Sequence, residues 1–343
     1  RGQCQCETCL EAGQLRMETR SACDAWEIAK KRYPELRIRI FYCMGGKDVD
    51  DTYGVLVKLP AKVKIERCYG QFGEAFDRVA AEGRWLGSYA GPAMLKAEQS
   101  GLRFHGGVTI SEHVTRLIEH QWDAVYSINY VYSTGAYQRG FFSFHVHALA
   151  EWTWNSKGRQ LGELANAWAT QAEYANPGKV AEWIELMAPV ESALNYVLTT
   201  RVWDEFPAAV TEKRAFRTGH DLLAGFPSGA TLNDYSTLCE RARVLATQAN
   251  APDLTLEADY VGALCRAVGA LNALLTGSPD RRQVAAILTS LRQAIEKMVE
   301  SFDRKTGLVK AEPAEFAVAT TKAHADLWRK RITDIAEAVS PTD

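Results

Sequence analysis

The chain has 343 residues, with 40 basic and 42 acidic side chains and a formal net charge of −2. Apolar residues make up 47% and charged residues 24%, a globular composition that excludes disordered, collagen-like and low-complexity classes. The even charge gives no reason to expect nucleic acid or an acidic membrane surface as partner, and no run of about 18 apolar residues is present to form a membrane span.

The chain begins at Arg1 rather than Met and shows no signal-peptide pattern, so its compartment is not readable at this end. It reads as a soluble protein, with the periplasm and secretion both open to it. Cys4, Cys6 and Cys9 form a Cys-x-Cys-x-x-Cys cluster. Three thiolates can hold zinc with a fourth ligand, but no second Cys-x-x-Cys or nearby histidine completes the set. A disulfide or thiols without metal are the alternatives, and no metal or cofactor is expected. The other five cysteines lie within helix-like or strand-like patterns and read as small buried hydrophobes.

Residues 14–33 read as a helix that Pro34 stops. Leu36 to Tyr42 is a β-branched and aromatic run closed by Gly45-Gly46, hence a strand. A short helix over 50–58 ends at Pro60. Val63 to Tyr69 is a second strand, closed by Gly70. Residues 71–82 form a helix with Gly83 as its cap. Trp85 to Tyr89 is a third strand, residues 108–121 an amphipathic helix, and Asp123 to Tyr130 a fourth strand. From residue 139 onward the pattern is helical, over 139–154, 160–172, 177–200, 208–223, 231–248, 255–276, 279–303 and 313–338.

Four strand–helix alternations imply parallel strands with right-handed crossovers. Their spacing matches the units of a (β/α)₈ barrel. Four units do not close a barrel. The abrupt start at Arg1 therefore predicts an α/β fold: the C-terminal half of a TIM-type (β/α)₈ barrel over 1–200, followed by an α-helical bundle over 201–343. The alternative is a small doubly wound sheet with a helical appendage, which would need a ligand crevice at a switch point. No Gly-rich phosphate fingerprint is present to supply one.

In a barrel, chemistry collects at the C-terminal strand ends. These carry Tyr42, Arg67, Tyr69, Tyr89, Asn129 and Tyr132. Aromatic faces stack on the C–H surface of a sugar, and hydroxyl, amide and guanidinium groups reach its hydroxyls. These six residues are the predicted lining of a carbohydrate pocket. Glu151, on the helix after the fourth strand, braces or reaches that pocket. It shares a helical face with His147 at i, i+4, a spacing that by itself is usually structural. Trp152 and Trp154 read as packing between barrel and helical domain rather than as substrate contacts. Asp48, Asp50 and Asp51 read as turn residues, and Glu66 as half of a buried ion pair. No carboxylate pair of glycosidase type stands out, so the catalytic residues are unknown, and no serine-hydrolase elbow occurs.

Several motifs resemble a group of bacterial glycoside-hydrolase-like proteins similar to the family 20 (β-N-acetylhexosaminidase) type of (β/α)₈ barrel. They are the Cys-Gln-Cys-Glu-Thr-Cys opening, Arg37-Ile38-Arg39-Ile40, Glu82-Gly83-Arg84-Trp85-Leu86-Gly87, Ala150-Glu151-Trp152-Thr153-Trp154-Asn155, Gly158-Arg159 and Ala167-Trp168-Ala169-Thr170. The resemblance covers about 1–200. It implies that the four strands are the fifth to eighth of the barrel, and that the acidic pair ending the fourth strand lies upstream of Arg1. This chain would then supply the late-strand wall of a sugar pocket in a protein that hydrolyses O-glycosidic bonds. A non-catalytic carbohydrate-binding or scaffolding protein is the alternative.

Overall fold

The computed structural model describes residue 6 and residues 13–42, 46–67, 73–89, 107–126, 141–199, 207, 228–276, 280–306, 326–327 and 329–339. The chain separates into two compact units, Arg1–Met94 with Glu112–Ile128, and Leu95–Ser111 with Asn129–Asp343. The helices from 141 to 199, which the barrel reading groups with the strands, fall in the second unit.

The first unit runs α1 (Gln14–Lys30), β1 (Arg39–Tyr42), α2 (Val49–Leu56), β2 (Lys64–Arg67), α3 (Glu74–Ala81), β3 (Leu86–Tyr89), α4 (Gly107–Glu119) and β4 (Ala124–Tyr126), with the unit boundary passing through α4. All three strand pairings are parallel, and the order is β1-β2-β3-β4 with no reversal. The strand-and-helix alternation read from the sequence is therefore the α/β fold found, with helix predominating. Among the described residues the sheet is open. Its strands are shorter than the sequence predicts: β1 starts at Arg39 rather than Leu36, and residues 127–130 of the fourth expected strand lie outside the described residues.

Local chemistry sets the ends of these elements. The Asp48 side chain caps α2, accepting from the Asp51 backbone N–H at 2.8 Å. Gly83 takes φ +73° after α3, a left-handed conformation that glycine adopts without strain. Trp26 on α1 donates its indole N–H to the Leu36 carbonyl at 2.9 Å and so fixes the loop into β1. The Asp123 carboxylate accepts from the Leu86 N–H at 2.8 Å, which aligns the start of β4 with β3.

One face of the sheet buries Tyr42, Val63, Ile65 and Leu86 against Trp26 of α1, Leu56 of α2, Phe76 and Val79 of α3, and Leu117 of α4. Ile65, Leu56, Val79 and Leu86 are fully buried, and each such side chain contributes on the order of 1.5–3 kcal/mol. Among the described residues, the helices of this core cluster pack on that face. The opposite face carries Arg39, Phe41, Lys64, Glu66 and Trp85 by the period-two alternation of the strands.

The second unit comprises α5 (Phe141–Trp154), α6 (Leu161–Gln171), α7 (Pro177–Thr199), α8 (Gly229–Gln248), α9 (Pro252–Thr276), α10 (Arg281–Thr306) and a further helical stretch over 329–339. These match the predicted helices to within three residues at each described end. The expected helix over 208–223 lies outside the described residues. Trp168, Trp183, Tyr260 and Phe144 are the largest fully buried side chains of this unit. Trp168 lies edge-on to Phe144 at 5.6 Å and 5.4 Å from Tyr174, whose hydroxyl donates to Asp253 and ties the end of α6 to the start of α9.

Candidate functional site

The parallel sheet brings Tyr42 and Arg67 side by side, in register at the C-terminal ends of β1 and β2. Alternation turns both toward the helices. Tyr42 is 3% exposed and shares a 3.1 Å hydrogen bond with the Thr19 hydroxyl of α1. Burial raises its phenol to about 12, so it stays protonated. Arg67 stacks its guanidinium 4.9 Å from the Phe76 ring of α3 and reaches the Tyr42 carbonyl at 3.4 Å. Tyr89 ends β3 in register with Tyr126 of β4. Tyr69, Asn129 and Tyr132 lie outside the described residues.

The opposite face of the sheet has a different chemistry. Glu66 is 3% exposed and its carboxylate is 2.6 Å from the Arg39 guanidinium. Glu66 is half of an ion pair, as its sequence context suggests, and the parallel register supplies Arg39 of β1 as its partner. The Lys64 ammonium sits 4.3 Å from the centre of the Trp85 ring. Phe41 is 41% exposed on this face. Gly87 pairs with Glu66, and a β-carbon there would stand 2.9 Å from the Trp85 ring and 3.4 Å from Glu66 Cγ. The missing side chain at Gly87 is what lets Trp85 lie along the sheet beside the ion pair. Arg39, Phe41 and Trp85 went unrecognised as site candidates in the sequence. The polar and apolar alternation of Arg37, Ile38, Arg39 and Ile40 was a signal for Arg39, but Phe41 breaks it.

Glu151 belongs to the second unit. It lines a cavity of about 280 Å³ between α5 and α6, with His147, Trp154, Arg159 and Gln171 around it. The Asn155 to Arg159 turn builds this cleft. The Gly158 N–H donates to the Asn155 carbonyl at 2.9 Å, and a β-carbon at Gly158 would stand 2.9 Å from that oxygen and 3.1 Å from Glu151 Oε1. The turn brings Arg159 back over α5, where its carbonyl accepts from the Trp152 indole at 3.0 Å and its guanidinium stands 3.7 Å from Glu151. Trp152 is buried. Trp154 is not a packing residue: it is 93% exposed at the rim of the cleft. The i, i+2 spacing of the two tryptophans puts them on opposite sides of the helix, so α5 can bury only one.

The aspartates after β1 are structural, as their turn context suggests. Asp48 caps α2, Asp51 is held below the usual carboxylate range mainly by its bonds to Arg16 and to the Lys47 N–H, and Asp50 pairs with Arg78. Cys6 is exposed, Cys4 and Cys9 lie outside the described residues, and among the described residues no cluster of three His, Cys, Asp or Glu has metal-binding geometry. No described helix is long and apolar enough to cross a membrane. Comparison with known proteins finds no family model, curated protein or solved structure that matches this chain.

Proposed function

We propose that this chain is part of a carbohydrate-active protein of glycoside-hydrolase type, its sheet forming one half of a (β/α)₈ barrel whose sugar pocket opens at the C-terminal strand ends. The observation that carries the reading is the unreversed parallel order β1-β2-β3-β4, with the helices of the described core packed on the same face of the sheet. A doubly wound sheet reverses its strand order and carries helices on both faces. A singly wound sheet is what a barrel wall requires, and its helix-free face becomes the barrel interior.

That interior face has the composition of a sugar-binding wall. Phe41 offers a part-exposed ring in register with Glu66, whose carboxylate is paired with the Arg39 guanidinium. In this reading the sugar is also contacted by Tyr69, Tyr89, Asn129 and Tyr132, residues that the sequence proposes for the pocket. Tyr42 and Arg67 support it from the helix side.

The test is binding of soluble oligosaccharides by the intact protein, together with turnover of aryl β-glycosides, in the wild type and in Phe41→Ala. Phe41 is 41% exposed, and the melting temperature of Phe41→Ala, measured alongside, separates lost binding from lost stability. Loss of one stacking contact should weaken sugar binding about tenfold, equivalent to ~1.4 kcal/mol. Binding without turnover would assign the protein to the non-catalytic alternative. No saccharide binding, or binding indifferent to Phe41→Ala, would remove the sheet face from consideration.

A further inference from the structure

We infer that the cleft between α5 and α6 is itself a binding site for a neutral pyranose, built by Glu151, Trp154, Arg159, His147 and Gln171. It goes beyond the sheet-face reading, since every one of these residues belongs to the second unit.

The first argument is the tryptophan. An indole that is 93% exposed leaves its apolar face in water, and here that face borders a polar concavity rather than a smooth surface. Pyranose rings with equatorial hydroxyls present C–H faces that such an indole covers, while their hydroxyls point sideways toward polar groups.

The second argument is the unspent hydrogen-bonding capacity beside it. The Glu151 carboxylate and Arg159 guanidinium are 3.7 Å apart, beyond normal hydrogen-bond reach. Each keeps its capacity for a ligand: two acceptor oxygens on one side and N–H donors on the other. Gln171 adds an amide that offers both. The glycine at 158 is what keeps the turn tight enough to hold Arg159 there without displacing Glu151.

The third argument is charge and size. One carboxylate and one guanidinium cancel, so the cleft holds no excess charge to favour an anionic sugar. Its volume of about 280 Å³ lies just below the range of drug-sized sites, which suits a single ring such as a chain terminus.

The experiment is an NMR titration of the intact protein, following the indole N–H resonance of Trp154, identified by its loss in Trp154→Phe. The probes are methyl β-D-glucopyranoside, methyl β-D-galactopyranoside and methyl β-D-glucuronide. The expected result is a saturable shift with at least one neutral glycoside, no tighter binding of the glucuronide, and affinity lowered about tenfold by Glu151→Gln or Arg159→Ala. Phe41→Ala should leave this titration unchanged. No saturable shift with either neutral glycoside, or preferential binding of the glucuronide, overturns the proposal. Sugar binding, read by isothermal titration calorimetry, that Phe41→Ala abolishes and Trp154→Ala leaves intact would uphold the sheet-face reading and overturn this one.

Discussion

His113 offers a direct measurement of how tightly α4 closes over the sheet. Its Nε2 lies 3.4 Å from the hydroxyl of Ser88, a fully buried residue near the end of β3. Burial, with a smaller contribution from Arg116, lowers the imidazole from its ordinary 6.5 to about 4, so it is neutral in the folded protein at pH 7. Between these two values the unfolded chain binds a proton that the folded chain does not. Stability is therefore fully present above pH 6.5, drains as the pH falls toward 4, and loses nothing further from this group below that. The gap, at about 1.4 kcal/mol per pH unit, comes to ~3 kcal/mol. Urea unfolding of the wild type and of His113→Gln at a series of pH values isolates this contribution, because every other titrating group is common to both. The wild type should lose ~3 kcal/mol more than the variant between pH 7 and pH 4. Parallel pH profiles for the two proteins would refute the argument and mean that water reaches the imidazole in the folded state.

Two further expectations concern the helical unit. Trp168→Ala removes a ring that is 2% exposed and lies against Phe144 and Tyr174, and should cost ~3–5 kcal/mol, seen as a lowered melting temperature; a loss under about 1 kcal/mol would contradict the packing described. Glu191 on α7 is fully buried, and desolvation together with the charge of Glu257 on α9 raises its carboxyl well above the ordinary 4.5. Its stabilising effect is present below pH 4.5 and is lost as the pH rises, so Glu191→Gln should gain stability relative to the wild type between pH 5 and pH 8. A difference between the two proteins that is flat over that range would show that the carboxyl is not buried as a neutral group.

Much of the molecule was legible in the chain before any packing was known. Glycine, proline and capping aspartate act within a few residues, so the helix and strand sequence along the first unit follows from local chemistry, as Asp48 and Gly83 illustrate. The hydrophobic period of each helix from 141 to 306 is likewise local. The alternation of strand and helix fixed parallel pairing through the crossover rule, and the register found is of that kind.

What tertiary structure decided is which side of each element faces what. A strand of four residues shows its neighbours on both faces, and only pairing with β2 and the docking of α1 and α3 turns Tyr42 and Arg67 inward and leaves Phe41 and Glu66 on the other side. The same holds for Trp152 and Trp154, which differ in the sequence by two positions and in the structure by complete burial against complete exposure. Arg159 reaches Glu151 only because the turn at Gly158 folds back. Composition, period and turn residues determine which elements form, because their energetics are short-ranged. Which residues meet depends on contacts between segments far apart in sequence, and those exist only once the chain has packed.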